Sequence, residues 1–80
     1  MLEVTMLEVA MSDLAFRKWW WDGGRLKTVP CTLGEVKKRI TSRKVSFCVE
    51  IPSQNRNLGS IDRIDGNVLV LYGGNQVTII

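Results

Sequence analysis

The stretch Val45-Ser46-Phe47-Cys48-Val49-Glu50-Ile51 alternates without a break between apolar residues and small or polar ones. Side chains of a β-strand point alternately to its two faces. The pattern predicts a half-buried strand with Val45, Phe47, Val49 and Ile51 on a core and Ser46, Cys48 and Glu50 turned away. Such a strand needs partners on both sides and a layer over its apolar face. Pro52 ends it, and PSQNRNLGS at 52–60 reads as a polar loop.

Candidate partner strands lie downstream. Ile61–Ile64 leads into Asp65-Gly66, read as a type I′ hairpin turn. Val68–Tyr72 is apolar on both faces, which suits a central strand. Gly73-Gly74-Asn75 turns the chain again and Gln76–Ile80 closes it. The last third is thus expected to be a three-stranded antiparallel meander. Its final strand ends Val77-Thr78-Ile79-Ile80, with no polar tail. An apolar edge must be paired or covered. A homodimer built on that edge and burial within one chain are both open.

The covering layer is a helix. Thr32-Leu33-Gly34-Glu35 matches a capping box, with threonine at the cap and glutamate at the third helical position. Cys31 and Val36 occupy staple positions. Leu33, Val36 and Ile40 form one stripe, and Lys37, Lys38, Thr41 and Ser42 fall mostly away from it. A helix over about residues 33–43 is predicted, although Gly34 weakens it by up to ~1 kcal/mol relative to alanine.

Upstream, residues 12–24 admit two readings. Ser12 could cap a helix ended by Gly23. Alternatively, Ala15–Trp21 and Arg25–Val29 form a hairpin around Asp22-Gly23-Gly24, which the strand propensity of the aromatics favours. The start repeats itself as MLEVT and MLEVA before Met11. A five-residue shift reverses facing in a strand and turns a helix by about 140°, so the copies cannot present one surface. The repeat reads as a small genetic duplication, with Met6 or Met11 as usable starts. Leu2, Val4 and Met6 alternate with Glu3 and Thr5, which suggests a short strand.

The expected fold is therefore α+β in a single domain over 1–80. A mostly antiparallel sheet combines an N-terminal strand and hairpin with the meander, and one amphipathic helix lies on one face. Apolar residues make up 45% of the chain and charged ones 24%, which fits a globular protein and no membrane span. No cationic leader opens the chain, so a cytoplasmic location is expected. Cys31 and Cys48 then read as thiols rather than a disulfide.

Chemistry is conspicuous by what is missing. The chain has no histidine, which removes histidine-based nucleophile activation and histidine metal ligands. Two cysteines cannot close a four-ligand zinc site, and neither glycine pair matches a phosphate-binding loop. Asp62 and Asp65 read as strand solvation and turn chemistry rather than an acid/base pair. No enzyme, metal or cofactor is expected. RNA-binding aromatic signatures, zinc fingers and heptads are absent too.

What remains is charge and tryptophan. The net charge is +3, but residues 17–44 hold nine Lys/Arg against Asp22 and Glu35, a local +7. Such asymmetry attracts polyanions. Trp19, Trp20 and Trp21 sit inside this segment. On a strand, Trp19 and Trp21 share one face and Trp20 the other; on a helix the rings splay over about 200°. Either way, at least one ring is left for a second surface. The expectation is a non-enzymatic module that binds an anionic partner, nucleic acid foremost. It would use Arg17, Lys18, Trp20, Arg25, Lys27, Lys37, Lys38, Arg39, Arg43 and Lys44. The alternative is a protein-interaction or inhibitor module that uses exposed tryptophan and the apolar sheet edge; a homo-oligomer is expected, and no membrane partner.

Overall fold

A computed structural model of the protein describes residues 6–80. The strand expected at Leu2–Met6 lies, except for Met6, outside the described residues. Seven strands and one short helix follow in the order β1 (Met6–Val9), β2 (Ala15–Asp22), β3 (Arg25–Cys31), α1 (Leu33–Arg39), β4 (Ser46–Ile51), β5 (Arg56–Asp65), β6 (Val68–Leu71) and β7 (Gln76–Ile79). Across the sheet the order is β1-β7-β6-β5-β4-β2-β3. Neighbours are antiparallel except β1 and β7, which run parallel.

The alternating stretch behaves as its pattern demands. Phe47, Val49 and Ile51 are buried, and β4 lies between β2 and β5. The hairpin reading of residues 12–24 holds and the helical one does not. Asp22 pairs with Arg25 across Gly23 and Gly24, whose φ angles of +56° and +81° define a type I′ turn that residues with a Cβ adopt with strain. Ser12 sits in a short 3-10 turn whose cap forms no side-chain bond.

Three expectations are corrected. First, residues 52–60 are not a loop. The chain reverses within Pro52–Asn55 and then runs as β5 for ten residues. Register slips opposite Val49/Glu50 and at Ile61/Arg63 leave Leu58 and Asp62 as bulges. The Leu58 bulge breaks the period-two pattern, which is why 56–60 does not read as a strand; each bulge also bends the strand. The N-terminal part of β5 pairs with β4 and the C-terminal part with β6, so the sheet curls over one core. Phe16, Val36, Phe47, Val49, Ile61, Leu69, Leu71 and Val77 form that single cluster.

Second, the helix is shorter than the stripe suggests. It stops at Arg39, passes through a 3-10 turn at Ile40–Ser42, and reverses at Arg43, which is left-handed at φ +61°. The Ser42 hydroxyl donates to the Arg39 carbonyl at 2.8 Å and so takes up a helix-end acceptor. The capping box is half made: Thr32 Oγ1 accepts from the Glu35 N–H at 3.2 Å, but the Glu35 carboxylate turns to Lys18.

Third, the turn after β5 centres on Gly66-Asn67, one residue later than predicted. Asp65 pairs with Val68, and only Gly66 has a positive φ, the signature of type II′. Asn67 is held by β7: its carbonyl accepts from the Ile79 N–H at 2.8 Å, and its amide donates back to the Ile79 carbonyl at 3.2 Å. The apolar C-terminal strand is not an edge either. β1 covers β7, and the Ile80 N–H donates to the Val9 carbonyl at 3.0 Å. A dimer built on that edge has no edge to use. The sheet ends at β1 and β3.

Leu69 is fully buried at the centre of the cluster. Truncating it to alanine removes apolar contacts and leaves a cavity. Leu69→Ala is expected to destabilise the fold by about 2–5 kcal/mol, read as a lowered denaturant midpoint, whereas Lys38→Ala on the exposed helix face is expected to change it by no more than ~0.5 kcal/mol.

Candidate functional site

The site is built on the facing of β2. Phe16 is buried, which puts Lys18, Trp20 and Asp22 on its side of the ribbon and Arg17, Trp19 and Trp21 on the reverse. Helix α1 packs over the Phe16 side through Val36, and Lys18 Nζ reaches Glu35 Oε1 at 3.1 Å. β4 begins at Ser46, opposite Trp19. Beyond that point the ribbon projects past β4 with its own hairpin ladder alone.

An open groove of about 620 Å³ lies beside this projection, lined by Lys18, Trp20, Arg39, Lys44 and Val45, with Trp19 and Trp21 contributing to its walls. Trp20 is half-buried there. The cations around it are not equivalent. Lys18 is engaged by Glu35, and Lys27, directly opposite Trp20, is engaged by Asp22 at 3.2 Å. Both members of the Lys27–Asp22 pair are more than half exposed, so water screens the attraction and the pair holds weakly. Among the described residues, Arg39 and Lys44 have no carboxylate partner.

Four of the sequence-predicted residues thus converge: Lys18, Trp20, Arg39 and Lys44. Arg25 and Lys27 continue the same ribbon face toward the turn. The other four do not join them. On the helix, Lys38 lies about 200° from the buried Val36 and Lys37 about 100° away on the flank opposite Arg39. Arg17 faces the reverse side, where its Nε donates to Thr28 Oγ1 at 3.2 Å. Arg43 is drawn toward β5 and β6, donating to the Tyr72 hydroxyl at 2.8 Å and to Asp62 at 3.4 Å. The basic segment is one stretch of sequence but several surfaces.

The reverse face carries its own feature. Trp21 and Leu26 are direct cross-strand partners, 66% and 54% exposed. With Trp19 they flank a shallow groove of about 540 Å³ that also contains Cys48, Gly59 and Ser60. Arg17 and Glu50 balance its charge. The predicted residue set omits Trp19, Trp21 and Leu26; the alternation of β2 was the signal that separates them from Trp20.

Among the described residues, no three His, Cys, Asp or Glu side chains gather as metal ligands, and no helix is long and apolar enough to cross a membrane. Cys31 and Cys48 are free thiols on opposite faces of the sheet. Comparison with protein-family models, curated proteins and solved structures finds no match for this chain.

Burial pushes both thiols above their ordinary range, with Glu35 adding to the rise at Cys31 and Glu50 at Cys48. Folding therefore favours the neutral thiols. That contribution is present below the unfolded thiol pKa and is lost as pH climbs through the higher folded values. Stability is expected to decline above about pH 8.5. At a fixed pH near 8, both cysteines should react with a thiol reagent more slowly in the native chain than in denaturant, read spectrophotometrically.

Proposed function

We propose that the protein is a binding module for an anionic chain, with single-stranded nucleic acid as the best-fitting class, held in the groove around Trp20. One observation carries this reading: a half-buried indole lines one groove with Arg39 and Lys44, two cations that no carboxylate neutralises among the described residues. An indole offers every base a face to stack on, worth ~1–3 kcal/mol per base. Flanking cations take the adjoining phosphates and release counterions. The groove is open to solvent, which suits a chain better than a small enclosed ligand. A second reading is supported by the reverse face, where the exposed Trp21–Leu26 pair forms an apolar anchor suited to a protein surface.

A fluorescently labelled deoxythymidine oligonucleotide is the probe. Arg39, Lys44 and Arg25 offer about three phosphate contacts, so log Kd against log salt should rise with a slope of about 2. Trp20→Ala should weaken binding by about tenfold or more. Arg39→Glu with Lys44→Glu should abolish it, while Lys37→Glu with Lys38→Glu should weaken it only through long-range charge. Absence of binding at low salt, or equal loss from both charge-reversed pairs, removes the groove reading.

A further inference from the structure

The projecting ribbon has a second property that does not depend on the groove. Strand β3 ends the sheet, and Arg25 through Pro30 are all exposed. Its backbone polarity follows from the turn. A two-residue hairpin closes on a hydrogen-bonded pair, here Asp22 and Arg25. Arg25, Lys27 and Val29 therefore spend their N–H and C=O groups on β2. Leu26, Thr28 and Pro30 turn theirs outward. Two details agree. Pro30, which has no N–H, occupies an outward position, the one kind of place a strand tolerates it. Arg17, the partner of Pro30, has its backbone N–H beside Cys48 on the β4 side rather than the β3 side.

The outward row is thus a set of free donors and acceptors, Leu26 and Thr28 supplying both and Pro30 an acceptor. Among the described residues, no backbone bond outside the strand ladders engages them. We propose that this edge docks an extended peptide in which acidic and apolar residues alternate, added as an eighth, antiparallel strand. Directly opposed residues share a face. An incoming strand would set its acidic residues against Arg25 and Lys27 on one face. Its apolar residues would meet Leu26 and Thr28 on the other, next to Trp21. The exposed Asp22 partner of Lys27 is a weak competitor.

Charge also decides against pairing with the β3 edge of a second copy. Antiparallel self-pairing must align outward residues with outward residues. Setting Leu26 on the other copy's Leu26 places Arg25 against Lys27. Setting Leu26 on Thr28 places Lys27 against Lys27. Setting Thr28 on Thr28 places Leu26 against Pro30, which donates nothing. The first two oppose like charges and the third forfeits a bond. Lysine and proline on an edge strand guard against self-association; the same residues leave the edge open to a strand of opposite charge. A nucleic acid has no regular row of N–H and C=O groups to complete this ladder, so a peptide is the occupant the edge favours.

The test uses the full chain and a short labelled peptide alternating glutamate and valine, followed by fluorescence anisotropy at low salt. The peptide should bind, and a lysine–valine counterpart should not. N-methylating the peptide at the positions that pair with β3 should weaken binding by about tenfold or more, since each lost backbone bond leaves a group unpaired. Thr28→Pro should do the same and lower the melting temperature only slightly, because the Thr28 N–H has no partner to lose and the Arg17 bond to its hydroxyl is exposed. If that variant fails to fold, the N-methylated peptide decides on the unaltered protein. Equal binding of the methylated and plain peptides, or no binding of either, overturns the proposal. So does an oligonucleotide affinity that falls with Thr28→Pro while the peptide's does not. Arg39→Glu and Lys44→Glu lie off this edge, so failure of the groove reading leaves the peptide result independent.

Discussion

Phe16 is the residue on which the surface of this protein depends. It is 3% exposed and packs in the one core cluster. Burying such a ring is worth about 1.5–3 kcal/mol, and a strand slipped by one residue would lose it while turning every neighbour over. The burial of one ring near the base of β2 therefore sets where all later side chains point. Lys18 meets Glu35 on the helix, Trp20 opens into the groove, and Trp19 and Trp21 go to the reverse face. Three consecutive tryptophans become two surfaces of different chemistry without any special device.

The outer part of the ribbon that carries these surfaces has no strand beyond its own two. Ala15–Trp19 is braced by β4, but Trp20–Asp22 and the facing part of β3 have only each other. An isolated two-stranded ribbon is marginal in water. Here the tight Gly23-Gly24 turn and the braced base hold it out. The exposed Trp21 and an unpaired strand edge sit on this projection, and Arg39 and Lys44 stand beside it at the end of the helix and ahead of β4; removing the projection would leave most of the core cluster in place.

Much of the framework was legible because it is local. The alternation of 45–51, the Asp-Gly-Gly turn and the threonine cap each specify structure within a few residues. The larger misreadings were non-local, whereas the helix end and the Gly66-Asn67 turn were missed by a few residues at most. The first half of β5 hid because the bulge at Leu58 broke its period, and the Asn57 side chain accepts from the Gly59 N–H at 2.9 Å to sustain the irregularity, whereas Ile61–Ile64 was legible. The parallel pairing of β1 with β7 joins the two ends of the chain, which no turn signal announces. Site residues failed in the same way. Arg43 was one of a basic cluster until Tyr72 and Asp62, far along the chain, drew it aside. Charge spacing in sequence says nothing of which partner a later strand will bring.

The separation of Trp20 from its two neighbours is the claim most open to direct measurement. Variants that keep one tryptophan and replace the other two with phenylalanine can be quenched with iodide and with caesium. With Arg39, Lys44 and Lys18 around it, the Trp20 emission should be quenched far more by the anion than by the cation. Trp21, which also borders the face where Arg17 and Glu50 balance, should show a much weaker preference for the anion. Equal responses from the two positions, or a Trp20 that neither ion reaches, would contradict the account.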